Sequence, residues 1–257
     1  MYKKLDNQKL KDRYNDIFSK GAYEKYFTFN SYSIFEEILK STAWEGKKVL
    51  DIGCGEGDLA AMMSFAGASK VHAIDYSNTA IKISKERVNL NNVVFECMDG
   101  DDVTEKYDVI VMAGVLEHID QPFDMLGKLM KDNLNKDGVL ITASPSFLNP
   151  RGYVWMTLQI LLNVPMSLSD VHFFLPSDFD NFAKKNNYKV ENSTIAHDWG
   201  CGYKTILDFK KRLVNALSDA NLDNKNVPSL LTWMEKSMPY FEHTNESGAI
   251  MVSKLNS

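Results

Sequence analysis

The sequence predicts an α/β fold built on a doubly wound, mostly parallel sheet, and three observations carry that prediction. The apolar run Val49-Leu50-Asp51-Ile52 breaks into glycines at 53, 55 and 57, then into the helix-favouring Leu59-Ala60-Ala61-Met62-Met63. Strand-like runs then alternate with helix-like stretches across residues 45–145, as crossover helices between parallel strands require. Acidic residues punctuate the first three runs: Asp51 lies inside the first, Asp75 closes the second and Asp99 follows the third.

Residues 7–27 are polar with spaced aromatics, the pattern of amphipathic helices laid over a domain, and a further helix is expected over 33–40. Strand one is 47–52, the glycine turn follows, and strand two is 70–74, with Ser77 or Asn78 capping a helix that runs to about 89. Strand three is 93–98, strand four is Tyr107–Ala113, and a helix over 123–133 leads through Lys136-Asp137-Gly138 into strand five at 139–143.

Beyond Ser144 the alternation loosens. Pro145, Pro150 and Pro165 punctuate a segment with an apolar helix near 153–162; Ser177 or Asp178 starts a helix ending near 186, and strand six is 189–195. Residues 197–244 are helical in pattern and read as an insertion before a last strand at 249–252. Within a single domain over 1–257, this gives a helical cap at 1–44, a core at 45–145 and cap insertions at 146–175 and 197–244.

Composition narrows the chemistry. Net charge is −5 and no run of Lys or Arg forms a stripe able to neutralise phosphates, which argues against nucleic acid as partner. Three scattered cysteines, Cys54, Cys97 and Cys201, speak against a disulfide framework or a cysteine metal site and fit a cytoplasmic protein. The N-terminus has no apolar h-region, and the most apolar stretch, 153–166, is too short to span a bilayer. That stretch has Arg151 as its nearby basic anchor, which disfavours membrane-surface contact.

Glycines at alternate positions leave no side chains over the turn, which aims backbone N–H groups at a nucleotide-like ligand above the helix N-terminus. A dinucleotide fingerprint needs a third glycine where this chain has Asp58. Asp75 is placed to accept both ribose hydroxyls, and Asp99 to meet an adenine amino group.

The run Val49-Leu50-Asp51-Ile52-Gly53-Cys54-Gly55-Glu56-Gly57, Asp75, Asp99, and Tyr107-Asp108-Val109-Ile110 leading to Leu116-Glu117-His118-Ile119 together resemble the class I S-adenosylmethionine-dependent methyltransferases. The likeness covers about 45–145 and is greatest to the branch holding the ubiquinone-pathway O-methyltransferases and small-molecule and glycan methyltransferases. It implies a Rossmann-like, seven-stranded sheet of order 3-2-1-4-5-7-6 with an antiparallel last strand. It implies that Asp51, Gly53, Cys54 and Gly55 line the methionine moiety, Asp75 with Tyr76 the ribose, and Asp99 with Gly100 the adenine. Backbone at Met112, Ala113 and Gly114 would touch the cofactor near the sulfonium.

Methyl transfer from a sulfonium is mainly a matter of aligning nucleophile, methyl carbon and sulfur, and a hydroxyl acceptor must also lose its proton. His118, just past strand four, is the candidate base. His172, in Asp170-Val171-His172-Phe173-Phe174, stands where related enzymes carry an Asp-x-His run and is a second catalytic candidate. Relatives with Glu-x-x-Glu-His bind a divalent metal; Gly114 replaces the first glutamate here, so no metal is expected. Glu117, Tyr153, Trp155, Trp199 and Tyr203 are candidates for contacting the acceptor, a sugar, glycan precursor or aromatic metabolite carrying a hydroxyl. An N- or C-methyltransferase, or a cofactor-binding module without turnover, is the alternative.

Overall fold

A computed structural model describes residues 32–164, 170–195, 203–237, 248 and 250–256, with the side chains of 32, 33, 203 and 204 excluded. Among them one sheet joins seven strands: β1 (Lys48–Ile52), β2 (Lys70–Asp75), β3 (Val93–Cys97), β4 (Tyr107–Ala113), β5 (Leu134–Pro145), β6 (Lys189–Thr194) and β7 (Ile250–Asn256). Their order is β3-β2-β1-β4-β5-β7-β6, and β7 runs antiparallel to both its neighbours. The sequence-based order and the direction of the last strand hold.

Eight α-helices accompany the sheet among these residues: α1 (Tyr32–Lys40), α2 (Asp58–Phe65), α3 (Asn78–Arg87), α4 (Pro122–Lys128), α5 (Pro150–Leu162), α6 (Pro176–Asn186), α7 (Tyr203–Asp219) and α8 (Val227–Ser237). The central strands are apolar on both faces because both are covered. One face packs Leu50, Ile52, Ile74, Ile110 and Met112 under Met125 and Leu126 of α4 and Phe179 and Phe182 of α6. The other packs Val49, Val71, Val109, Val111 and Ile141 under Ile38 of α1, Leu59 and Met63 of α2 and Ile81 of α3. Each fully buried Leu, Ile or Phe contributes about 1.5–3 kcal/mol. A third core, away from the sheet, gathers Phe147, Trp155, Phe209, Leu213, Val227 and Met234, and is what makes α5, α7 and α8 one cap.

Several boundaries move for local reasons. The helix expected over 123–133 ends at Lys128, and Leu129–Asn133 forms a π turn in which Asn133 Nδ2 donates to the Val103 and Glu105 carbonyls, both at 3.0 Å. Helix α6 opens at Pro176 rather than at Ser177 or Asp178. Proline suits the first helical position, and Asp178 Oδ2 accepts the Leu175 N–H at 2.8 Å. The last strand extends past 252 to Asn256 because its backbone pairs with β5 on one side and β6 on the other, Asn256 opposite Val139 and Lys189, and Ser253 Oγ donates to Asn192 Oδ1 at 2.6 Å. Ser77 caps α3 as expected, accepting the Ala80 N–H. The insertion is helical where described, as α7 and α8; the aromatics at 7–27 lie outside the described residues.

Candidate active site

The glycine turn joins the C-terminal end of β1 to α2 where the strand order reverses, the position at which open α/β sheets take ligands. Gly53 has φ +72°, and a Cβ there would lie 2.3 Å from Val115 Cγ2, so both its backbone and its packing demand glycine.

The N–H groups of the turn differ from the expectation. Gly53 and Cys54 donate to the Ile74 carbonyl at 2.8 and 3.0 Å, Gly57 donates to the Cys54 carbonyl at 3.0 Å, and Gly55 donates to Asp75 Oδ2 at 3.1 Å. A part-buried turn satisfies its own donors, and β2 supplies three of these four acceptors. What the turn offers a ligand is therefore a floor without side chains and an oriented carboxylate.

Asp75 also accepts the Ser77 N–H on Oδ1 at 2.8 Å. Burial raises its pKa while these two N–H groups oppose the rise, and a carboxylate has lone pairs left for further donors. Asp51 is 1% exposed, and its Oδ2 has no hydrogen-bond partner. Burial, with Asp75 adding to it, pushes the Asp51 carboxyl up to about 7. A cationic ligand group placed there would satisfy the oxygen and stabilise the charge.

Asp99 is exposed and uses Oδ1 to accept the Asp101 N–H at 3.0 Å. Gly100 is buried under Met125 and Ile52. Tyr76 is half-buried beside Asp75. The Cys54 thiol is buried, which pushes its pKa up and keeps it unreactive. Met112 is fully buried in the core and the Gly114 N–H donates to the Ala143 carbonyl at 2.8 Å, so the Met112 side chain is turned inward and the Gly114 donor is already used.

Past β4, a 3₁₀ turn, Leu116–His118, carries the next group. Glu117 is 3% exposed and accepts the Ser144 hydroxyl on Oε2 at 3.1 Å; burial raises its pKa, His118 opposes the rise and Asp170 adds to it. His118 Nδ1 lies 3.4 Å from Asp170 Oδ1. Glu117, His118 and Asp170 bring ligand-type atoms within 4.8 Å of one another, a set that motif reading left incomplete because Asp170 comes from a distant loop.

The second catalytic candidate, His172, and the remaining acceptor candidates separate. His172 stacks on Phe174 with ring centroids 5.7 Å apart, and its Nε2 lies 3.3 Å from the Asp120 carbonyl, an acceptor; the ring secures the loop. Trp155 corrects its expectation: it is fully buried, stacked on Phe209, and donates from Nε1 to Asp208 Oδ2 at 3.1 Å, so neither face is open to an acceptor. Tyr153 is 66% exposed on α5. Trp199 lies outside the described residues, as does the side chain of Tyr203, the first residue of α7.

Sequence reasoning missed the ion cluster behind this site. Arg151 Nε binds Asp208 Oδ2 at 2.8 Å and Arg212 binds Asp208 Oδ1 at 3.1 Å, tying α5 to α7. Burial alone would raise the Asp208 carboxyl; the two guanidiniums hold it below the usual carboxylate range. An Arg at the start of an otherwise apolar helix was the available signal.

A glycine turn at the topological switch point, with acids on β1 and β2 and an acid–histidine pair past β4, defines a nucleoside-cofactor enzyme of the doubly wound class. A family model described as a methyltransferase domain matches residues 25–193. The chain belongs to that family, the class I S-adenosylmethionine-dependent methyltransferases. It is 32% identical over 166 residues to the mitochondrial ubiquinone biosynthesis O-methyltransferase of Schizosaccharomyces pombe, covering 61% of this chain and 60% of that one. It is 28% identical over 159 residues to the Neisseria meningitidis ubiquinone biosynthesis O-methyltransferase, covering 58% and 66%. The chain thus spans under two thirds of the length of these curated relatives. The fold matches Haemonchus contortus phosphoethanolamine N-methyltransferase 2, solved with S-adenosyl-L-methionine, at TM-score 0.64 and 16% identity, over 98% of this chain and 60% of that one. No helix among the described residues is long and apolar enough to cross a membrane.

Proposed function

We propose that the protein transfers the methyl group of S-adenosylmethionine to a hydroxyl oxygen of a small-molecule acceptor, with His118 as the base. The observation that carries the reading is the half-buried imidazole just past β4, beside two carboxyls and three residues beyond Val115, whose side chain stands against Gly53 of the glycine turn. Relatives named for O-methylation support oxygen as the methylated atom. The hydroxyl oxygen forms the new bond to the methyl carbon, the carbon–sulfur electrons return to sulfur, and the hydroxyl proton passes to His118. On this reading Asp51, Gly53, Cys54 and Gly55 hold the methionine moiety, Asp75 and Tyr76 the ribose, and Asp99 and Gly100 the adenine. The backbone from Met112 to Gly114 flanks the sulfonium, and the segments 1–44, 146–175 and 197–244 enclose the acceptor. The scattered cysteines support a reducing, cytoplasmic setting.

Calorimetry should give S-adenosylhomocysteine a Kd on the order of micromolar and NAD none; binding of NAD in its place would overturn the reading. Methyl-labelled cofactor incubated with fractionated extract should label a small molecule. His118→Ala should keep S-adenosylhomocysteine binding and lower labelling about 10²–10⁴-fold. Full labelling by that variant would assign the acceptor an amine or carbon nucleophile instead.

A further inference from the structure

We infer that Asp170 is a positioning residue for His118: it holds the imidazole proton on Nδ1 and so leaves Nε2 with the lone pair that takes a proton. This rests on the reading of His118 as the base. Asp170 Oδ1 lies 3.4 Å from His118 Nδ1, and the two side chains are only 14% and 15% exposed, so solvent and salt screen the pair little. That separation is longer than a formed hydrogen bond. Catalytic pairs are commonly loose without substrate and tighten when it binds.

The loop carrying Asp170 is fixed in register against the turn carrying His118. Val171 and His172 both donate their backbone N–H to the Glu117 carbonyl, at 2.9 and 3.2 Å, on either side of which the two partners sit one residue away. The ring of His172, between Phe174 and the Asp120 carbonyl, secures the same loop a second time. The other carboxyl beside His118, that of Glu117, is directed to the Ser144 hydroxyl. A carboxylate on the far nitrogen of a catalytic imidazole selects its tautomer, and an amide in that place selects the wrong one.

The rival role for the same three residues is to hold a divalent cation, since their ligand atoms lie within 4.8 Å of one another. The test uses the full chain with ¹⁵N-labelled histidine, at about pH 8, where an ordinary imidazole is neutral. The His118 signals are assigned by their loss in His118→Gln. The wild-type protein should show the Nδ1–H tautomer, Asp170→Asn should shift it to Nε2–H, and Asp170→Glu should restore it. Labelled methyl transfer by Asp170→Asn should fall about 10²-fold in kcat with the KM for S-adenosylmethionine unchanged. Titration with S-adenosylhomocysteine on each sample confirms that the fold and cofactor site are intact.

A wild-type tautomer that Asp170→Asn leaves unchanged overturns the proposal. So does broadening of the His118 signals by substoichiometric Mn²⁺, which makes Asp170 a ligand. The tautomer measurement needs no acceptor: if it comes out as expected while His118→Ala retains full turnover, the assignment of His118 as base fails and the Asp170–His118 pairing stands.

Discussion

Asp75 Oδ2 accepts the Gly55 N–H at 3.1 Å, so the acid that ends β2 shapes the glycine turn at the end of β1. Its other oxygen accepts the Ser77 N–H at 2.8 Å, which ties it to the start of α3. Asp75→Ala orphans the buried Ser77 N–H and the part-buried Gly55 N–H, each costing up to about 1–3 kcal/mol, and on the proposed reading removes the acceptor for the ribose. Binding of S-adenosylhomocysteine should weaken at least about 10²-fold in calorimetry, with the denaturation midpoint lowered. Asp75→Asn, able to accept but without charge, should fall between the two.

Asp51 sets a pH dependence of opposite sign for stability and for binding. Its folded pKa, about 7, is above the ordinary carboxylate value of 3.8, so between the two the folded protein holds a proton that the unfolded chain has released. The stabilising contribution is complete below the unfolded value and is lost as pH rises towards 7. A cationic cofactor favours the ionised form, so affinity for S-adenosylmethionine should rise over the same window. Calorimetry across this range should show the affinity increase, and Asp51→Asn should flatten both trends.

Gly53 answers to one neighbour. Its φ of +72° costs an alanine about 1–2 kcal/mol, and the new Cβ would meet Val115 Cγ2 at 2.3 Å. Gly53→Ala should lower stability by about 2–4 kcal/mol, combining backbone strain with overpacking. Adding Val115→Ala should recover the packing share and leave the backbone share. Urea denaturation of the single and double variants separates them.

Much of this architecture is legible in the chain because the signals are local. The run ending at Gly53 marks β1, Ser77 marks the start of α3, and the acids at 51, 75 and 99 fall where the strand ends place them. The destination of the turn's N–H groups was not legible, since it depends on the Ile74 carbonyl of a neighbouring strand. Nor was the role of Trp155, because an aromatic on an apolar helix reads the same whether it faces a pocket or, as here, Phe209 of α7. Asp170 stands in a loop without periodicity, and nothing in its neighbours announces His118. Contacts between segments far apart in sequence decide the candidate site, whereas periodicity decides the sheet.

Asp208 shows how the cap depends on such a contact. It is buried and shared by Arg151 and Arg212, with Trp155 donating to it, so its removal takes from both guanidiniums the carboxylate they share. Breaking one partner of a buried ionic group costs about 3–5 kcal/mol, whereas replacing the whole group by apolar residues of similar volume is often neutral. Asp208→Ala should therefore destabilise the cap strongly, and Asp208→Leu combined with Arg151→Met and Arg212→Met should recover much of the loss. Because the folded pKa of Asp208 is depressed, its contribution is present above the unfolded carboxylate value and fades as pH falls through the folded one. Tryptophan fluorescence during urea denaturation at neutral and acidic pH should show the gap between wild type and Asp208→Ala narrowing at low pH; a gap that does not change with pH would mean that packing around Trp155, rather than the ion cluster, holds α5 to α7.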